Sequence, residues 1–255
     1  MVINFQDYGV EHIYCINYIK NNRKKQIEQE FDYIEINYLD NSLFSWEFDY
    51  DDNVLNLKEN YELEKKKNEL CFQKFDYYPY DLKFETFKLS LRNYSIMKKS
   101  LDLGYKKIMI FEDDIVFLKN INKIKTILDN LDYSNNLILL APSAKFSYLL
   151  SYKFHNQYKE NVYNFYEYYV TNKNLHYFDL YCAGCNIYDE EAMKAYIYII
   201  ENICCISPDL YFYYEQYPNT KINICATLYP ICFQRSDIDK ELENFHRLNK
   251  NDYRI

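Results

Sequence analysis

The apolar positions of this chain occur in short runs separated by stretches with a helical repeat. Residues 12–17 (HIYCIN) form a first apolar run and read as a strand. A helix follows over 17–29, with Arg23, Lys24 and Lys25 at its head. Residues 33–38 (YIEINY) alternate and predict a second strand. The stretch 40–80 is acidic, aromatic and irregular. It reads as an insertion or flexible loop with a charged helical piece at 62–70. Leu89, Tyr94, Met97 and Leu101 fall near a helical repeat, and Gly104 is placed to stop that helix. Residues 107–111 (KIMIF) then make a run short enough for a buried strand, and 115–117 resume it. A helix over 121–131 and a buried strand over 137–141 (LILLA) follow. The stretch 145–175 shows no clear period.

Residues 177–188 look strand-like around Gly184, and Asp189-Glu190-Glu191 opens a helix to about residue 203, with acids where the helix dipole favours them. Ser207-Pro208-Asp209 predicts another helix start, with Ser as cap and Pro in the first turn; Pro218 ends it. A last strand covers 221–229, and Ser236 to Asp239 resembles a capping box before a charged C-terminal helix. Strands alternating with helices predict an α/β fold with a largely parallel central sheet. Neither an internal repeat nor a separating linker is visible, so 1–255 reads as a single domain.

Composition narrows the classes. At 255 residues the chain can bury a substantial core. Its 38 acidic against 30 basic side chains give a net charge of −8, which argues against an overall electrostatic grip on nucleic acid or anionic lipid. No run approaches the ~20 apolar residues of a membrane helix. The opening MVINFQDYGVEH lacks the basic-then-apolar pattern of a signal peptide. The expectation is a soluble, cytoplasmic chain without a transmembrane segment. Gly9, Gly104 and Gly184 are the only glycines and stand far apart, so neither a Rossmann fingerprint nor a Walker loop is present. A bound nucleotide must be held by side chains, a metal or ordinary loop amides. The eight cysteines include a C-x-x-C at Cys182 and Cys185. Zinc is one reading of it. Burial as small apolar side chains is the other, favoured by the apolar surroundings.

The most informative feature is Glu112-Asp113-Asp114 at the end of the 107–111 run. Ligands of open α/β sheets bind at the carboxyl ends of the strands. Three carboxylates there are unfavourable unless something positive arrives, and a hard divalent cation, Mn²⁺ or Mg²⁺, is the simplest candidate. Such a cation also binds diphosphate without a glycine loop. Strand geometry puts Glu112 and Asp114 on one face and Asp113 on the other. The alternative is a solvated acidic turn.

Residues 90–115, running from Ser90 through Gly104 and Phe111 into Glu112-Asp113-Asp114, resemble the central block of glycosyltransferase family 25, which includes lipooligosaccharide and collagen galactosyltransferases. Residues 12–17 with Arg23, the Ala183-Gly184 segment leading into an Ala192-containing helix, Ser207-Pro208-Asp209, and 230–234 agree with further blocks in order. Two positions depart: Leu91 stands where the family has His, and Cys185 where it has an aromatic residue.

This resemblance implies a GT-A type nucleotide-sugar-binding fold. Its nucleotide-binding half would be about 1–140 and its acceptor-side half about 141–255. It implies a metal-dependent inverting transferase that moves a sugar, galactose or a relative, from a UDP-sugar to a surface glycan or glycolipid. If that acceptor is lipid-linked, the enzyme would work against the inner face of the membrane. Glu112, Asp113 and Asp114 would match the DxD-like metal motif, with Asp114 on the metal and Glu112 on the metal or the ribose. Asn17 and Arg23 would meet the nucleotide; for Arg23 the alternatives are a bidentate phosphate contact or a solvated helix face. Asp209 is the candidate catalytic base, or else an acid that stabilises a helix dipole, with Asp179 as runner-up. His246 would be a further metal ligand, or a surface residue of a charged helix. Gln234 and Ser236 would line the acceptor side. Two other classes compete: a non-catalytic carbohydrate-binding or interaction module of the same fold, and a metal-dependent phosphohydrolase.

Overall fold

The computed structural model describes residues 3–18, 23–48, 56–74, 82–141, 162–164, 184–208, 218–227 and 231–234. In chain order the elements are β1 His12–Asn17, α1 Lys24–Ile34, β2 Phe44–Phe48, α2 Leu57–Lys74, α3 Phe84–Asp102, β3 Lys107–Glu112, β4 Ile115–Phe117, α4 Ile121–Asp129, β5 Leu137–Leu139, β6 Val162–Asn164, β7 Cys185–Asp189, α5 Glu190–Asn202, β8 Ile224–Thr227 and β9 Cys232–Gln234.

Seven strands form one sheet in the order β2-β1-β3-β7-β5-β8-β6, and β4 and β9 form a separate antiparallel pair. The pairings run β1, β2, β3, β5 and β8 in one direction and β7 and β6 in the other. This is the α/β architecture expected from the alternation of strands and helices. Strands from both sides of residue 140 interleave, because β7 sits between β3 and β5.

Side-chain alternation splits the core in two. Ile13, Cys15, Met109 and Phe111 point to one face of the sheet and pack against Ile27, Phe31 and Ile34 of α1 and Ile124, Ile127 and Leu128 of α4. Tyr14, Ile16, Ile108 and Ile110 point to the other and meet Ile96 and Met97 of α3 and Met193, Tyr196 and Ile199 of α5. The result is helix–sheet–helix layering, with β1 and β3 buried on both faces as a central parallel pair requires.

The second strand is displaced from its expected place. Residues 33–38 are not a strand: α1 continues through Ile34, and Glu35 caps it at φ 61°. The helical spacing of Ile27, Phe31 and Ile34, all fully buried, wins over the local alternation. The strand lies instead at Phe44–Phe48, inside the stretch read as an insertion. There the Phe31 ring meets Phe44 at 5.4 Å and Phe111 at 5.3 Å, which seats α1 over β2 and β3.

Other local expectations hold. Leu103 caps α3, and Gly104 takes φ 83°, a left-handed turn open to glycine without strain. The Asp189 side chain accepts from Ala192 N at 2.9 Å and caps α5. Helix α5 ends at Asn202, so Cys204 and Cys205 lie just past it. The predicted helix after Ser207-Pro208 and the C-terminal helix with its capping box lie outside the described residues, as does Cys182 of the C-x-x-C.

Candidate active site at the acidic turn

The chain leaves β1 toward α1 and β2 on one side and returns through α3 to β3 on the other. The carboxyl ends of β1 and β3 therefore border the place where the sheet order reverses, the usual ligand crevice of such folds. β1 and β3 are in parallel register, Ile16 opposite Glu112. Asn17 and the Glu112-Asp113-Asp114 turn thus emerge side by side.

Asp113 is the anchor of this corner. Its side chain is fully buried and on the α1 side of the sheet. Oδ2 accepts from Asn17 Nδ2 at 3.1 Å and from the Tyr18 backbone N–H at 2.7 Å. Arg23, the N-cap residue of α1, places Nη1 at 3.5 Å from Asp113 Oδ1 and at 3.4 Å from Asp114 Oδ2. Asp113 Oδ1 is buried and receives no hydrogen bond. Burial pushes the Asp113 carboxyl above its ordinary value, while the Tyr18 N–H and the Arg23 charge pull it back. Full burial raises the Cys15 thiol well above its usual range, and the charges of Asp113, Glu112 and Asp114 add to the shift.

The pairing of acids differs from the expected one. β3 ends at Glu112, and Asp113 and Asp114 form the turn into β4, so strand alternation does not extend to Asp114. Asp113 and Asp114 share one cation, Arg23. Glu112 continues the register of Ile108 and Ile110 toward the α3–α5 side. The corner is therefore an Asp113–Asp114 pair, where the sequence suggested Glu112 with Asp114. Arg23 is one-third exposed and paired with these acids, so it is more than a solvated residue of the helix face.

Two neighbours complete the frame. Glu112 N donates to Gly184 O at 3.0 Å, which lays the Gly184 segment along the end of β3. β9 brings Gln234 opposite Ile115, next to the turn. Glu30 is a positioning residue that the sequence reading missed. It accepts from Phe117 N at 3.0 Å and from Lys119 Nζ at 2.8 Å, bracing α1 against β4. A signal for it was present, since a glutamate three residues after Ile27 and four before Ile34 lies on the apolar stripe of the helix. Lys24 lies 4.9 Å over the Trp46 ring and adds a second positive charge at the head of α1.

Asp209, His246, Asp179 and Ser236 lie outside the described residues. Among the described residues no three His, Cys, Asp or Glu side chains are grouped to hold a metal by themselves. The donor chemistry of the corner still suits a hard cation: two adjacent carboxylates, with Asp113 Oδ1 buried and accepting no hydrogen bond. Such an ion would complete its shell with water or with substrate phosphates. A cavity of about 370 Å³ lined by Ile3, Ile13, Ile36, Leu43 and Phe44 lies at the opposite, amino end of β1 and β2.

No family model matches the chain, and no curated protein matches it either. Membership of family 25 thus gains no support from these comparisons. Among solved structures the chain is similar to mouse xyloside xylosyltransferase 1 in its apo form, at 12% identity, over 92% of this chain and 82% of that one. The TM-score is 0.29, too low for that likeness to bear on chemistry.

Proposed function

We propose that the chain is a glycosyltransferase of GT-A type. It would move a sugar from a UDP-sugar to a glycan or glycolipid acceptor, with Mn²⁺ or Mg²⁺ at the acidic turn. The observation that carries this reading is the Asp113–Asp114 pair, held between the carboxyl ends of β1 and β3 and facing the Arg23 end of α1.

In this reading Asp114, the more accessible of the two, ligates the cation, and Asp113 keeps the turn in place through Asn17 and Tyr18. When bound, the metal neutralises charge on the departing diphosphate. Arg23 is within reach of the same phosphates, and its planar fork suits them. In an inverting transfer the acceptor oxygen forms a bond to the anomeric carbon as the carbon–phosphate oxygen bond breaks. UDP leaves, and the acceptor proton passes to a carboxylate, for which Asp209 is the candidate. His246 is proposed as a further metal ligand, and Glu112 as a contact to the metal or the ribose from the other face of β3. Among the described residues no helix is long and apolar enough to cross a membrane. A cytoplasmic enzyme meeting a lipid-linked acceptor such as lipooligosaccharide at the membrane surface fits the reading.

The test is calorimetric titration of the purified chain with UDP in the presence and absence of Mn²⁺, followed by assay of UDP-sugar hydrolysis without acceptor. Metal-dependent UDP binding with slow donor hydrolysis supports a transferase. Absence of nucleotide binding under both conditions refutes it. Metal binding accompanied only by phosphatase activity points to a phosphohydrolase instead.

A further inference from the structure

We propose that β2 pairs with β2 of a second copy of this chain, antiparallel about a two-fold axis at Trp46, so that two sheets join edge to edge in a symmetric dimer.

β2 is an end strand of the sheet. Ile13 N donates to Leu43 O at 2.9 Å, and Ile13 stands opposite Phe44. In a parallel ladder of this register Ser45 and Glu47 turn their backbone groups toward β1, and Phe44, Trp46 and Phe48 turn theirs away. The Phe44 N–H is taken by Asp40 O at 2.9 Å. The Phe44 carbonyl and the outward groups of Trp46 and Phe48 meet no hydrogen-bond partner among the described residues. Exposed edges are commonly protected by Lys or Pro. The strand FSWEF has neither. Its one charge, Glu47, is turned to α3, with Arg92 Nη1 at 3.5 Å and Lys99 Nζ at 2.9 Å. Phe48 is 42% exposed, and Leu39, in the turn that leads into β2, is 80% exposed.

Any extended segment could use these main-chain groups; the side chains single out a second copy. Antiparallel pairing through the outward residues sets Trp46 opposite its counterpart and Phe48 opposite Phe44 of the other copy. The two Trp46 residues exchange N–H···O bonds, and each Phe48 N–H donates to a Phe44 carbonyl, leaving the Phe44–Asp40 bond intact. Phe44, Trp46 and Phe48 alternate onto the α1 side of the sheet, so the exposed Phe48 ring gains an aromatic cross-strand neighbour. On the other side each Glu47 falls opposite Ser45 of the second copy, so no like charges meet there. Lys24, 4.9 Å over the Trp46 ring, has Glu28 at 4.0 Å and brings its own counter-ion to the seam. The patch is thus self-complementary, as an isologous two-fold contact requires.

The experiment is sedimentation velocity of the full chain from low micromolar to several hundred micromolar. It is run at physiological ionic strength, which screens the net charge of −8. Wild type and Phe48→Lys are compared, and circular dichroism checks their folding. Trp46 is the only tryptophan of the chain, so its emission reports on the axis directly. Wild type is expected to pass from monomer to dimer as concentration rises, with Trp46 emission moving to shorter wavelength in step. Phe48→Lys places a charge on the edge and is expected to weaken dimerisation by at least about tenfold. Amide hydrogen exchange of wild type gives a reading that needs no variant. The Trp46 and Phe48 amides should exchange fast in dilute and slowly in concentrated protein, while those of Ser45 and Glu47 stay protected in both. A wild type that remains monomeric throughout overturns the proposal. A dimer in which Trp46 emission and the Trp46 amide are unchanged also overturns it, since the contact then lies elsewhere. So does a monomer whose Trp46 and Phe48 amides are already protected, because the edge is then covered within one chain.

Discussion

Asn17 and Asp113, 96 residues apart in sequence, are joined side chain to side chain by a 3.1 Å hydrogen bond at the carboxyl ends of neighbouring strands. Both are almost completely buried. The bond converts the parallel pairing of β1 and β3 into a fixed position for the acidic turn. Replacing Asn17 with Ala leaves a buried carboxylate oxygen short of one donor, with the Tyr18 N–H as its remaining partner. A loss of about 1–3 kcal/mol is expected for a buried group so deprived. Urea unfolding monitored by circular dichroism checks it. An unchanged midpoint would show that the Tyr18 amide alone holds the turn.

The two aspartates should separate from Glu112 in their effect on ligands. Asp114→Asn removes a charge from the side that faces Arg23 and is expected to weaken Mn²⁺-dependent UDP binding by at least about tenfold, or ~1.4 kcal/mol. Glu112→Gln alters the opposite side of β3 and is expected to cost less. Calorimetric titration of both variants with UDP and Mn²⁺ measures the difference. A larger loss in Glu112→Gln would return the metal to the pair that strand alternation suggests.

Much of this frame is legible in the sequence because it depends on short-range rules. The apolar run before Glu112 must be a buried strand, and Asp189 followed by two glutamates must cap a helix. Alternation does not predict which acids share a face, because it holds only while the chain stays extended, and β3 stops at Glu112. The place of the second strand is not legible locally, because residues 33–38 satisfy two periods at once; the buried ring of Phe31, packed against Phe44 and Phe111, decides between them. The ion pairs of Arg23 depend on the angle at which α1 enters, and that angle is fixed by distant partners such as Glu30 with Phe117. No local pattern encodes it.

His12 supplies a pH dependence of stability. Its ring stacks on Tyr105 at 5.1 Å, Nδ1 lies 3.2 Å from Ser42 O, and Nε2 lies 2.8 Å from Ser45 Oγ. Facing a carbonyl, Nδ1 carries the proton, and Nε2 accepts from the serine in the neutral ring. Burial lowers the pKa below 6.5, outweighing the Ser42 contact, and the Lys99 charge lowers it further. Above about pH 6.5 both folded and unfolded states hold a neutral ring, and the full contribution is present. As pH falls through that value the unfolded chain takes up the proton first, and stability drops until the lower folded pKa is passed. The melting temperature of wild type relative to His12→Gln is therefore expected to decline between pH 7.5 and 5. A constant difference across that range would mean that the ring titrates alike in both states.

Helix α2 is tied to the segment that leads toward Ser207 and Pro208. The fully buried Asn68 donates Nδ2 to Cys205 O at 2.8 Å, and Glu64 Oε2 accepts from Cys205 N at 2.9 Å. Two side chains of one helix thus hold both backbone polar groups of a single residue. Leu57, Leu82 and Phe87 close over the same cysteine, and this burial pushes the Cys205 thiol up to about 12. A thiol so placed holds almost no thiolate at neutral pH and should resist iodoacetamide in the native chain. Asn68→Ala frees the Cys205 carbonyl from its partner at an expected cost of about 1–3 kcal/mol. Because this bond ties α2 to the segment after α5, the loss should appear as local opening before global unfolding. Peptide mapping after alkylation at pH 8 is expected to show Cys205 unlabelled in wild type and labelled in Asn68→Ala. Cys225, likewise pushed up to about 12 but packed in the core on the α1 side of the sheet, should stay unlabelled in both. Labelling of Cys225 together with Cys205 would mean that the variant unfolds as a whole and that α2 has no separate hold on this segment.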